Sequence, residues 1–236
     1  MSLISRVICI ILYLTFLSLC LSQDKINETV IHSIEIKIEK ELHHHYDVRI
    51  LDVNNSLNNP SISGGRIKDP YKNLKDCFIF LAASLPDSNL NKPKGFVGIY
   101  KIDTILWRSA SLIENLSTLG GFVTALDDFN KDGKVEIVVS ENELPNAITA
   151  NYLWIFTWDG KMGECITELD EDGESRLAFM GRYHFKDVDG DGIYEIQGKW
   201  YKNNNFDNIS PVTYCWNGKW YGNWGKSSKY LLKGKN

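Results

Sequence analysis

Apolar positions along this chain fall into short runs bounded by acidic or Asn-rich turns, a pattern that predicts strands. The clearest runs are Glu136-Ile-Val-Val-Ser140 and Tyr152-Leu-Trp154-Ile-Phe-Thr-Trp158, followed later by Glu195 to Tyr201 and Val212-Thr-Tyr-Cys-Trp216. Each pair is separated by a polar linker, and each second run ends on a tight corner, Trp158-Asp159-Gly160 and Trp216-Asn217-Gly218. A fainter copy lies upstream at nearly the same offset: Asp76-Cys-Phe-Ile-Phe-Leu81 matches the run at Glu136, and Phe96-Val-Gly-Ile-Tyr-Lys101 with Asp103 takes the place of the second strand and its corner. The order strand, linker, strand, turn, strand reads as one antiparallel sheet per repeat, so the fold class is all-β with a period of about 60 residues. Ile31, Ile34, Ile36 and Ile38, then Val48, Ile50 and Val53, predict two further strands, and residues 54–68 read as a linker.

The turns that precede two of these strands carry the chemistry. Asp128-Phe-Asn130-Lys-Asp132-Gly133-Lys134-Val-Glu136 and Asp187-Val-Asp189-Gly-Asp191-Gly192-Ile193-Tyr-Glu195 share the pattern D-x-[DN]-x-D-G-x-x-E and are one period apart. Oxygens at positions 1, 3 and 5 of such a loop converge, the Gly at 6 permits the sharp turn, position 7 (Lys134 or Ile193) offers a backbone carbonyl, and the Glu at 9 closes the shell. Two calcium sites are the expectation. The helix-loop-helix calcium hand closes at position 12 and runs into a helix, whereas these loops run into strands. A third acidic turn, Glu168-Leu-Asp170-Glu-Asp172-Gly173, has Arg176 where the closing acid would stand and reads as a hairpin tip.

This loop ahead of an apolar strand, recurring once per period, resembles the FG-GAP or VCBS-type repeats of integrin-like β-propellers. The resemblance covers residues 118–222 well and 69–117 weakly. It implies a four-stranded blade per repeat with calcium held in the loop between strands. The organisation is then 23–68 N-terminal strands and linker, 69–117 a degenerate repeat, 118–178 and 179–236 the two calcium-loop repeats. Asp69-Pro-Tyr-Lys-Asn73 lacks the ligand spacing, so the first copy keeps the sheet and loses the ion. No Gly-Ala-Pro is present, and the chain beyond position 22 fills only three to four such blades. That leaves a small or incomplete propeller, an open stack of sheets, or a ring shared by two chains.

Residues 1–22 have the shape of an export signal, with Arg6, an apolar run from Val7 to Leu19 and small polar residues after it. Cleavage after Ser22 would expose Gln23; Leu17-Ser-Leu-Cys20 is a loose lipoprotein box, so any membrane attachment would go through Cys20. Export places the loops where calcium is abundant. Net charge −4 and the absence of a basic run exclude nucleic acid as the expected partner. The mature chain keeps Cys77, Cys165 and Cys215, an odd set that makes no disulfide framework and at most one bridge. Sequons at Asn27, Asn54, Asn115 and Asn208 say nothing about the host.

No nucleophile elbow, phosphate loop or dinucleotide fingerprint occurs, so no catalytic residue is expected. His43-His44-His45 on a strand would point to alternating faces and could not converge on one metal, and His184 reads as a half-buried strand residue. The tryptophans at matched positions read as packing between sheets. Trp220 and Trp224 break that register and are candidates for an exposed platform. The expected function is an exported, calcium-stabilised, non-catalytic module that binds a protein or a glycan. The alternatives are a lectin-like module and an inhibitor or immunity partner of a secreted enzyme.

Overall fold

A computed structural model describes residues 3–58, 66–84, 94–110, 113–114, 121–141, 150–202 and 205–223. The chain divides at His45 into two compact units. The first is a single helix, α1 (Leu3–Leu42). It overturns the strand expected over Ile31–Ile38. Ile31, Ile34 and Ile38 also satisfy helical i, i+3, i+7 spacing, and their neighbours Glu35, Lys37, Glu39 and Lys40 are good helix formers, while Ile36 is exposed at 52 %. His43 ends the helix: its φ is 54°, and its N–H donates to Glu39 O at 2.8 Å. The three consecutive histidines therefore link a helix to a strand and do not lie on one. The expected cleavage point after Ser22 falls inside α1. No helix among the described residues is long and apolar enough to cross a membrane.

The second unit is built from three antiparallel sheets, each made of strands consecutive in the chain. In the first, β1 (Tyr46–Asp52), β2 (Phe78–Ser84), β3 (Lys94–Lys101) and β4 (Thr104–Arg108) are neighbours in that order, and β5 (Ile113–Glu114) adds to β3. The second runs β6 (Phe122–Asp127), β7 (Val135–Ser140), β8 (Ala150–Trp158), with β9 (Gly163–Cys165) and β10 (Ala178–Met180) both pairing β8. The third runs β11 (His184–Lys186), β12 (Glu195–Lys202), β13 (Asn205–Trp216), β14 (Tyr221–Gly222). All three are open. Only the second of the two strands expected between 31 and 53 forms, as β1. The linker expected over 54–68 contains most of α2 (Val53–Asn58) and, at Ile67, a parallel bridge to Leu126; residues 59–65 lie outside the described residues.

The middle sheet is covered on both faces, which explains its nearly continuous apolar strands. Along β7, Val135, Ile137 and Val139 pack with the first sheet's Ile79, Leu81, Val97 and Ile99. Val138 points the other way, to Phe179, Ile196, Tyr214 and Trp216. The period of two that separates these sets also sends Glu136 to the same face as Val138. In β8, Trp154 and Trp158 fill the first interface beside Trp107, while Leu153 and Ile155 face the second. Trp216 fills the second interface, so Trp154, Trp158 and Trp216 pack between sheets, whereas Trp200 is half-buried against Tyr152. Two contacts fix the spacing. The Trp107 indole lies 2.7 Å from where a Cβ on Gly163 would stand, and the Phe179 ring occupies the same place over Gly198. Any side chain there would push the sheets apart.

Candidate metal centre

In each sheet a turn leads into the second strand, and these turns stand at matching positions, with Asp69, Asp128 and Asp187 evenly spaced along the chain. At the fourth position of each turn the backbone is left-handed, with φ of 56° at Lys72, 59° at Lys131 and 76° at Gly190. The sixth position is Gly133 and Gly192 in the two acidic loops, both at φ 88°, a value that disfavours any side chain. The first turn has no such glycine; Leu74 takes the place and is buried in the core.

In the loop 128–136, the carboxylates of Asp128, Asp132 and Glu136 bring ligand oxygens within 4.8 Å of one another. Asn130 is buried beside them, its Oδ1 accepting the Asp132 N–H at 3.0 Å. Glu136, 0 % exposed, accepts the Phe129 N–H on Oε2 at 2.6 Å, while its Oε1 is buried without a hydrogen-bond partner. Asp128 Oδ2 accepts from the Tyr71 hydroxyl, and Oδ1 is buried with no partner. The Lys134 side chain leaves the loop toward Glu164 at 3.5 Å, so only its backbone carbonyl remains as the expected ligand.

The loop 187–195 repeats the plan with different details. Asp187, Asp189 and Glu195 form the cluster within 4.8 Å. Asp191 stands outside it and accepts the Ile193 N–H on Oδ1 at 2.8 Å. Glu195, 3 % exposed, accepts the Val188 N–H on Oε2 at 2.8 Å, and again its Oε1 is buried without a partner. Asp187 is held by its own loop: Oδ1 accepts from Gly190 at 2.7 Å and Asp191 at 3.1 Å, Oδ2 from Gly192 at 3.0 Å.

Burial is the main reason the Glu136 carboxyl is pushed up to about 9, with Asp132 and Asp128 adding repulsion and the Phe129 and Asn130 amides opposing it. Glu195 is raised for the same first reason, with Asp189 and Asp191 behind it. A buried acid with an unpaired oxygen among other acids is costly unless a cation or proton joins it. These two clusters can hold a metal ion.

The two loops touch. The Tyr194 N–H donates to Phe129 O at 2.9 Å, the rings of Phe129 and Phe185 stack at 4.3 Å, and the Lys131 ammonium lies 5.3 Å from the Tyr194 ring centroid. Tyr221 is fully buried, and burial followed by the carboxylates of both loops holds its phenol well above the ordinary range.

The remaining candidates are placed as follows. The turn at Asp170 is a hairpin tip: its Oδ1 accepts from Asp172 at 3.0 Å and Glu174 at 2.9 Å, and Leu169 bridges Ser175. His184 is on a strand, as expected, yet exposed. Trp220 is half-buried in the turn between β13 and β14, with the Lys219 ammonium 4.2 Å from its ring centroid. Trp224 lies outside the described residues. Cys77, Cys165 and Cys215 are free thiols. Sequence reasoning missed Tyr71, although stepping one period back from Asn130 finds it at the matching third position, with Cys77 in place of the closing Glu.

No family model matches the chain, and no curated protein or solved structure matches it either.

Proposed function

We propose that this chain is an exported, non-catalytic binding module in which two calcium ions, one per acidic loop, stiffen the strand junctions of the sheets in a propeller-like repeat. The observation that carries the reading is the recurrence of one arrangement: Glu136 and Glu195 each give one oxygen to the position-2 amide and keep the other buried, unpartnered and close to two further carboxylates. Calcium fits an all-oxygen set that adds side-chain amides and backbone carbonyls to carboxylates, because it takes six to eight oxygens at variable geometry. Magnesium demands a tighter octahedron and keeps several waters. The ions act structurally: bound to the folded state alone, they stabilise it by mass action. Residues 1–22 support export, where millimolar calcium would fill even weak sites. The partner is a protein or a glycan, engaged by loops that these junctions hold.

Thermal melts of the full chain, with chelator and with millimolar calcium, test this. The midpoint rises with calcium, and the rise shrinks stepwise in Asp128→Ala, in Asp187→Ala and in the double variant. Melts that ignore calcium in the parent chain would refute it.

A further inference from the structure

The first cation site is made from two stretches of chain. Residues 66–71 lie ahead of β2, and their first three are zipped onto the end of β6: the Leu126 N–H donates to Arg66 O at 2.9 Å, and the Lys68 N–H donates to Leu126 O at 2.8 Å. The Lys68 ammonium then pairs with Asp127 Oδ2 at 3.0 Å. This strap ends in the turn that Asp69 caps, its Oδ1 and Oδ2 accepting the amides of Asn73 at 3.0 Å and Leu74 at 2.8 Å. Fixed on both sides, the strap delivers the Tyr71 hydroxyl to Asp128 Oδ2.

That hydrogen bond has a geometric consequence. A carboxylate can rotate about its last bond; one oxygen held from outside the loop leaves the other committed to the inside. The Asp128 oxygen left over, Oδ1, is buried and unpartnered, and Asp128 belongs to the cluster with Asp132 and Glu136. Ligating carboxylates elsewhere are oriented by such outer hydrogen bonds, whose loss weakens metal binding about 10- to 100-fold. We infer that Tyr71 is a positioning residue of the first cation site, its hydroxyl pinning Asp128 so that the free oxygen meets the ion. The inference rests on the calcium reading above. The second loop supplies an internal control, because Asp187 is oriented by its own amides at Gly190, Asp191 and Gly192 and owes nothing to a neighbouring strap.

Calorimetric titration with calcium chloride, in the full chain freed of metal, separates the sites. In a background carrying Asp187→Ala and Asp189→Ala, only the first site titrates. There Tyr71→Phe, which removes the hydroxyl alone, raises its Kd about 10- to 100-fold. In the reciprocal background carrying Asp128→Ala, the same change leaves the second site's Kd where it was. Tyr71→Phe leaves Asp128, 4 % exposed, with neither oxygen partnered, so its chelator melt falls slightly below that of its parent. An unchanged first-site Kd would overturn the inference while leaving the calcium reading standing. Equal weakening of both sites would show a general structural role and overturn it too. No heat in the first background with Tyr71 intact would remove the calcium reading at this loop, and the inference with it.

Discussion

The loops 128–136 and 187–195 share a backbone but reach their carboxylate clusters differently. In the first, two of the expected ligands, Asp128 and Asn130, are 4 % exposed, the leading aspartate is held from outside, and a neutral amide stands at position 3. In the second, the leading aspartate is wrapped in its own amides, Asp189 is exposed, and every expected side-chain ligand is a carboxylate. Burial is the first cause of the raised carboxyl in both loops, and the difference lies in the ligands around it: buried and neutral at position 3 in one, exposed and charged in the other. The contrast teaches that one sequence pattern, closed by equally buried glutamates, still leaves the leading aspartate to be oriented in two different ways.

The largest expected effect comes from that glutamate. Glu136→Gln removes a carboxyl that the metal-free fold must protonate, so it raises stability in chelator at neutral pH and abolishes calcium-linked stabilisation at this loop, about 2–3 kcal/mol at a hundredfold excess over Kd. Glu195→Gln does the same to a smaller degree in chelator. Urea melts of both variants, with and without calcium, measure the difference; equal effects in chelator would break the contrast between the loops.

The pH dependence sharpens it. Burial holds the Glu136 carboxyl at about 9, above its ordinary 4.5, so between those values the folded state binds a proton that the unfolded chain has released. Stability in chelator therefore falls as pH rises through that window. Calcium needs the ionised form, so its stabilising increment grows with pH over the same range. Melts from about pH 5 to about pH 9 show the slope, and Glu136→Gln flattens it.

Smaller effects test the shared backbone. Gly133→Ala and Gly192→Ala each place a side chain at φ 88° and cost about 1–2 kcal/mol in chelator, alike in the two loops. Gly190→Asn costs almost nothing, because Lys131 already adopts the matching left-handed conformation and Asn tolerates it better than Lys. Denaturant midpoints read both.

Much of this was legible from residue order. The runs around Phe78, Ile137, Trp154 and Tyr214 became strands because short apolar stretches between Asp-Gly or Asn-Gly corners have few other ways to fold. The acidic loops were legible because their ligand spacing is local. The helix at Ile31–Ile38 was not, since its isoleucines fit both periods and the charged residues between them decided the outcome. Tyr71 was not either: its contact with Asp128 is distant in sequence and depends on a strap that no local pattern marks. Nor does a lone Trp220 in a Gly- and Lys-rich tail reveal that Lys219 folds over it.

The most direct measurement is the number of calcium ions bound per full-length chain, by calorimetric titration of metal-free protein. The account predicts two, falling to one in Asp128→Ala and one in Asp187→Ala, with all three chains folded. No binding in the parent chain, or a count unmoved by either substitution, would contradict it.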